Sequence, residues 1–381
     1  MSYTGLILIN RKNEDHLIPD HIYYDLNVTN NDTTNTTPLA PVLQFNEIRS
    51  STFLQNPSDY YLSIVRFQVD TTSLPLFIPQ VDITQNNPNI LIYKLTLSYS
   101  TFSVTVPLTF FPQDLTQTAP SPPFTSSQYN NPYYYVYNIQ QFINDTVNIA
   151  FNTAVSLLSA LVTLPSLNVP FIEFDPFTNY CILNADNVGY NEQSGIQIKI
   201  FFDANLYQLF NSFNAKFVPS VSGTQYLLRV QNYNNTNVLN LPTYNALQMY
   251  QEFSTIAEWN PVKSFIFTSN LLPVNQSLEG DPVIYGDGGR EVASSTLSAY
   301  SNILTDYQVE LIKGNETRPI VQYVPTAEYR LFDLVGNNPL GTINLQCFWK
   351  DRFGILNPFL LKTGCSASIK LMFRMKKYAN Q

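Results

Sequence analysis

The sequence predicts a mainly β protein, a sandwich of strands interrupted by an inserted α+β unit. Three observations predict it. Strand-length apolar alternations occupy both ends of the chain; a segment of different texture, with helical periodicity, lies between them; and the connections are rich in Asn, Gln, Ser, Thr and in 25 prolines. Such residues hydrogen-bond their own backbone or fix φ, so they favour turns and long loops between strands.

The elements follow in order. HIYYDLNV (His21–Val28) reads as a strand, and the polar NVTNNDTTNTTPLAP that follows cannot bury enough apolar surface to form core, so it is a long loop or arm. In the stretch from Tyr60 to Asp70, Tyr60, Leu62 and Ile64 alternate with Tyr61, Ser63 and Val65, and the core face is expected to be Tyr61, Val65, Phe67 and Val69. Prolines then break pairing from Thr71 to Asn89, a natural domain boundary. Asn89–Leu97 and Thr101–Leu108 form a hairpin, and Pro112–Pro132 a loop.

From Asn138 to about Thr163, apolar residues recur at Ile139, Phe142, Ile143, Val147, Ala150, Phe151, Ala154, Val155 and Leu158, the three-and-four spacing of an amphipathic helix. FIEFDPFTNYCILNAD suggests a hairpin. IQIKIFF suggests a strand with Ile196, Ile198 and Ile200 inward, Ala204–Phe213 a short helix, and Tyr244–Phe253 another. Strands return at Val262–Thr268, Ile303–Ile312, Ile320–Val324, Glu328–Leu334, Thr342–Lys350 and Ser366–Met375. In the last two, Ile343, Leu345, Cys347 and Trp349 share one face, as do Ile369, Leu371, Phe373 and Met375. The expected division is therefore an N-terminal arm and first strands (1–79), an inserted α+β domain (80–253) and the remaining sandwich strands (254–381).

Composition narrows the function. Charged residues are only 13% of the chain against about 25% in ordinary soluble domains, while aromatics reach 14%, so much of the surface is expected to be covered by neighbours. A formal charge of −8 without a long basic run disfavours direct nucleic-acid binding. Cys181, Cys347 and Cys365 fit neither a disulfide framework nor a zinc pattern and read as buried free thiols in a reducing compartment. Neither a signal peptide nor a membrane span is legible, and the sequons at Asn27, Asn31, Asn35, Asn144, Asn234, Asn275 and Asn315 are expected from asparagine abundance alone.

Chemistry-bearing constellations are sparse. His16 and His21 sit beside the N-terminal polar stretch, in no pattern that suits a general base or metal ligand. Glu279, Asp281 and Asp287 with the Gly286–Gly289 turn are the best acidic cluster; they lack regular calcium-ligand spacing, and an exposed turn is favoured over an intersubunit cation site. The aromatic runs Tyr60-Tyr61 and Tyr133-Tyr134-Tyr135 suit a core or subunit interface better than a glycan platform. Lys370, Arg374, Lys376 and Lys377 are expected at a solvated strand edge. No catalytic, cofactor-binding or metal residue is assigned and no cofactor is expected.

The C-terminal third carries an ordered pattern: SNILTDYQVEL, then RPIVQYVPTAEYRLFDLVGNNPLGTINLQCFWKDRFGILNPFLLKTGCSASIKLMFRMKKY. Here the chain resembles the penton proteins of virophages and Polinton-like viruses, nearest to the Sputnik-type virophage pentons. The resemblance implies a single jelly roll forming homopentamers at the fivefold vertices of an icosahedral virion, between capsomers of a double-jelly-roll major capsid protein and in contact with other minor capsid proteins, with no enzymatic activity. Assembly would take place inside the host cell. It also implies that Trp349, Asp351 and Gly354 shape a turn after a strand, and that Tyr329, Arg330 and Asp333 hold a strand in register. An alternative is a glycan-binding or host-attachment module displayed on the virion surface, using the inserted domain.

Overall fold

A computed structural model describes residues 21–32, 41–122, 131–220, 223–231, 237–274, 283–285, 291–293, 303–308, 320–323, 330–351 and 354–376. The chain forms two compact units. The first takes its described residues from Met1–Ser73, Lys263–Val309 and Pro319–Gln381, the second from Leu74–Val262.

The first unit opens with β1 (His21–Thr29), β2 (Gln44–Ile48) and β3 (Tyr60–Asp70). The second carries β4 (Ile90–Tyr99), β5 (Phe102–Thr109), β6 (Phe171–Asp175), β7 (Tyr180–Asp186), β8 (Lys199–Asp203), β9 (Ala215–Ser220), β10 (Gly223–Leu228), β11 (Asn237–Asn240) and β12 (Asn245–Tyr250). Then follow β13 (Val262–Thr268), β14 (Val283–Tyr285), β15 (Glu291–Ala293), β16 (Ile303–Gln308), β17 (Ile320–Tyr323), β18 (Phe332–Asp333), β19 (Thr342–Asp351), β20 (Leu356–Pro358) and β21 (Ser366–Met375).

Among the described residues, one sheet of the first unit runs β1-β21-β3-β17 with β18 also on β3, and the other runs β16-β13-β19-β2 with β20 also on β19. Count β17 and β18 as successive parts of one framework strand, and set aside β20 and the small β14–β15 hairpin. The first strand then pairs with the last (β1–β21), the second with the seventh (β2–β19), the third with the sixth (β3–β17) and the fourth with the fifth (β13–β16), all antiparallel. Alternate pairs fall in opposite sheets, so the chain is one long hairpin rolled on itself, a jelly roll. The second unit is inserted between the third and fourth of these strands.

The core of the roll follows from strand periodicity, with one correction. In β19 the inward set Ile343, Leu345, Cys347 and Trp349 is buried, and in β21 so are Ile369, Leu371, Phe373 and Met375. Across from β21, however, β3 does not keep one phase. Leu371 faces Ile64 and Lys370 faces Arg66, so Val65 is an extra residue, a β-bulge. Leu62 and Ile64 point inward before it, Phe67 and Val69 after it. Of the expected face of Tyr61, Val65, Phe67 and Val69, the last three are buried, Val65 as the bulge residue, and Tyr61 is not. Tyr61 lies opposite Arg374 and is half-exposed, because a period of two cannot register an inserted residue.

The bulge delivers Phe67 to the centre of the sandwich. Its ring meets Phe265 and Phe267 of β13 and Tyr307 of β16 from the opposite sheet, at centroid distances of 6.0, 5.3 and 5.0 Å, and stacks on Tyr323 of its own sheet at 5.4 Å. The Tyr307 hydroxyl donates to the Ile64 carbonyl at 3.2 Å, closing the same contact with a polar bond.

The second unit builds sheets β5-β4-β8-β10-β9 and β11-β12-β7-β6. A continuous helix, 139–159, contains a π-helical stretch at Ile143–Asn148, and every one of the apolar positions anticipated for it is buried. Amides on this helix satisfy the outer edge of β6: the Phe174 N–H donates to Gln140 Oε1 (2.6 Å), and Ile172 exchanges bonds with the Asn148 side chain (2.8 and 3.0 Å). An edge strand is thereby closed to further pairing.

Other expectations on this unit are corrected. Ile196 is exposed rather than inward, because Gly195 in the left-handed conformation ends a short turn and pairing starts only at Lys199; Ile198 and Ile200 are inward. The segment Tyr244–Phe253 is not helical. It holds β12, whose Ala246–Tyr250 pair with Ile182–Asp186 of β7, so a sheet partner overrides the helix propensity of Ala, Leu, Gln and Met. Strands β9, β10 and β11 fill the stretch between Phe213 and Tyr244, to which the sequence assigned no strand or helix. In the first unit, β18 is shorter than the expected Glu328–Leu334, whose first residues lie outside the described set.

Val65 paired in regular alternation would turn Arg66 inward and Phe67 outward, whereas deleting it leaves Ile64 and Phe67 inward and Arg66 outward in an unbroken ladder. The deletion is therefore expected to keep a cooperative urea transition, whereas Phe67→Ala should lower the free energy of that transition by about 3–5 kcal/mol. A Val65 deletion that abolishes the transition would refute this account of the register.

Candidate assembly surfaces

Where sequence reasoning looked for chemistry, the structure shows packing. His21 begins β1 with its ring stacked over Tyr23 at 6.2 Å, and His16 lies outside the described residues. Glu279, Asp281 and Asp287 also lie outside them. Among the described residues, no grouping of three or more His, Cys, Asp or Glu side chains could hold a metal ion, and no helix is long and apolar enough to cross a membrane. Tyr133, Tyr134 and Tyr135 are buried; the Tyr133 hydroxyl donates to Asn89 Oδ1 (2.8 Å) and the Tyr134 hydroxyl to the Pro88 carbonyl (2.9 Å). This run is core, with its polar tips satisfied. All three cysteines are free and buried, and burial pushes the Cys181 and Cys347 thiols well up.

What the first unit presents instead is two broad sheet faces. On the outward face of the β1-β21-β3 sheet, register aligns His21, Arg374 and Tyr61 in one row, Tyr23, Met372 and Ser63 in the next, and Asp25, Lys370 and Arg66 in a third. Asp25 is held between Arg66 (3.2 Å) and Lys370 (3.2 Å), and the Lys370 ammonium lies 5.4 Å over the Tyr23 ring. Lys376 repeats the pattern with Asp333 (3.0 Å) and the Tyr61 ring (5.4 Å). Met372 and Ser63 are fully covered although their register puts them on this outward side. Long cationic and aromatic side chains thus form an ordered mat over the sheet. The pairs are exposed, so each is worth less than about 1 kcal/mol and they do little for stability.

The expected edge position for the basic residues is corrected here. β21 lies between β1 and β3, so Lys370 and Arg374 stand on a sheet face; Lys377 lies outside the described residues. Sequence reading passed over Asp25 and Arg66. Arg66, a lone cation inside an otherwise apolar run, was the available signal that the phase changes there.

The other sheet's outward face carries an amide ladder, with Lys350 of β19 and Asp306 of β16 also on that side. Asn344 donates to Asn46 across β19 and β2 (2.6 Å), with the half-buried Gln44 and Gln346 opposite one another and Ile48 82% exposed beside Thr342. After β19, the Asp351 carboxylate accepts from the Ile355 N–H (2.9 Å) and its carbonyl from the Gly354 N–H (3.1 Å), with Gly354 at φ 80. This turn requires glycine's left-handed freedom. Trp349 is buried in the core, not in the turn. Arg330 bonds the carbonyl and carboxylate of Asp306 (2.5 and 3.3 Å) and covers the Tyr307 ring, which ties its segment to β16; Tyr329 lies outside the described residues.

The profile of a protein family described as Sputnik minor capsid protein V18/19 matches residues 22–375. Structural protein V19 of the Sputnik virophage is 28% identical over 210 residues, which cover 53% of this chain and 93% of that protein. Protein V18 of the same virophage is 32% identical over 168 residues, covering 42% and 95%. A chain in the 3.5 Å cryo-EM structure of the Sputnik virophage superposes with a TM-score of 0.79 at 27% identity, covering 94% of this chain and 99% of that one. The crystal structure of the mavirus penton protein shares the fold, with a TM-score of 0.58 at 16% identity over 93% of this chain and 99% of that one.

Since the thiolate is the reactive form and burial disfavours it, Cys181 and Cys347 should be silent to a thiol reagent at pH 8 in the native protein and react once it is unfolded in urea. Prompt native labelling of either, read by mass spectrometry, would contradict the packing.

Proposed function

This chain belongs to the Sputnik minor capsid protein V18/19 family, and on that premise we propose that its copies close into homopentamers at the fivefold vertices of an icosahedral virion. The observation that carries the proposal is the jelly roll itself, built from strands that span the family match and offering two sheet faces of different chemistry. A ring of identical subunits needs a heterologous contact, one patch meeting a different patch on the next copy, and a rotation that closes after five steps. A face of ion pairs and tyrosines and a face with an amide ladder supply two such unlike patches.

In this reading the protein acts by assembly and not by catalysis. It fills the gap where five capsomers of a double-jelly-roll major capsid protein converge, with other minor capsid proteins as further neighbours. The inserted unit, proposed as a domain bounded near residues 74 and 262, adds surface of its own. The attachment alternative loses its clearest motif, because the Tyr133–Tyr135 run that might have stacked sugars is core.

Native mass spectrometry and negative-stain electron microscopy of the purified protein should show rings of five, alone or on mixing with the major capsid protein. A monomer under all conditions would overturn the vertex role.

A further inference from the structure

The second unit is strongly acidic: residues 74–262 hold four basic and ten acidic side chains, six of the chain's eight net negative charges. Its four cations are not scattered. Arg229 is taken up by Glu192, at 3.1 and 3.4 Å. The other three are Lys94, Lys199 and Lys216, all exposed; no salt bridge holds any of them among the described residues, and Lys94 acts on the Asp82 and Asp203 carboxylates through its field.

Sheet register places all three on one face. Ser98 pairs with Lys199 and Thr96 with Phe201, so Lys94, two residues before Thr96, shares their side. Phe201 pairs with Leu227, and Leu227 with Lys216, carrying the same side across β10 to β9. The opposite side holds Leu95, Leu97, Ile200 and Phe202, all buried, and the helices 149–159 and 204–209 pack against these strands. Between the lysines lies a half-buried strip of Phe201, Leu227 and Val218. Asp203, the only acid on this side, is turned to cap a helix, its carboxylate accepting from the Leu206 N–H at 2.8 Å. A cationic rim around a modest apolar centre is the layout of a protein contact surface.

We propose that this lysine-bearing face of the β5-β4-β8-β10-β9 sheet is a contact surface between copies of this chain, docking on the acidic surface of a neighbouring copy's inserted unit. The inference rests on the homopentamer reading and adds to it a place and a chemistry. Charge complementarity selects the occupant: a basic face and an acidic remainder occur on one unit, so each copy carries both halves of a heterologous pair, as ring closure requires.

The test compares the full-length protein with a K94E/K199E/K216E variant and a triple Lys→Arg variant by native mass spectrometry over a salt series. Circular dichroism melts check that all three fold alike. The wild type should form rings that weaken between about 0.1 and 1 M salt, where the screening length falls from ~10 to ~3 Å. Charge reversal should lower the assembled fraction about tenfold, and the arginine variant should restore it. Rings that form equally well in the reversed variant, with the same salt response, would overturn this contact and leave the pentamer standing. A wild type that never forms rings would remove the pentamer reading first. Rings that survive reversal while binding to a sulfated polysaccharide column is lost would assign the face to an anionic glycan instead, and overturn the proposal.

Discussion

The register between β3 and β21 is the constraint on which the first unit depends. β21 alternates without a break from Ala367 to Met375, so its inward residues define the floor of the core. β3 matches that floor only because Val65 is bulged out of the ladder, which leaves Ile64 opposite Leu371 and Phe67 opposite Ile369. With Val65 paired in regular alternation, a guanidinium would enter the sandwich and a phenyl ring would leave it. Burying an unpaired charge costs several kcal/mol and losing a packed aromatic costs a similar amount. The aromatic cluster of Phe67, Phe265, Phe267, Tyr307 and Tyr323 spans both sheets, so the bulge also determines how they are joined.

The same register produces the outward surface. Once Arg66 is turned out, it stands in line with Lys370 and Asp25, and the mat of Tyr23, Tyr61, Arg374 and Lys376 can form around it. Core and exposed face both depend on Val65 being bulged instead of paired, since side chains otherwise alternate strictly across a sheet. The Asn and Gln ladder on the opposite sheet has no such requirement, and in it Asn344 bonds Asn46.

Edges are handled differently in the two units. In the first, rolling the hairpin puts the last strand, β21, between β1 and β3, with β1 at the edge of that sheet. In the second, the helix 139–159 offers Gln140 and Asn148 to the free side of β6. The helix side chains satisfy backbone groups of β6 that would otherwise recruit foreign strands.

Much of this was legible in the sequence. Period-two alternation marked the faces of β19 and β21 residue by residue, and three-and-four spacing marked the buried side of the long helix. These are local signals, written within one element by the geometry of that element. What only the tertiary structure decided was non-local: the bulge at Val65, the strand at Asn245–Tyr250, the exposure of Ile196, the placing of the C-terminal cations on a face instead of an edge, and the gathering of Lys94, Lys199 and Lys216 on one side of a sheet. Each depends on which strand lies beside which, and partners hundreds of residues apart, such as Asp25 and Lys370, leave no periodic trace in either segment alone.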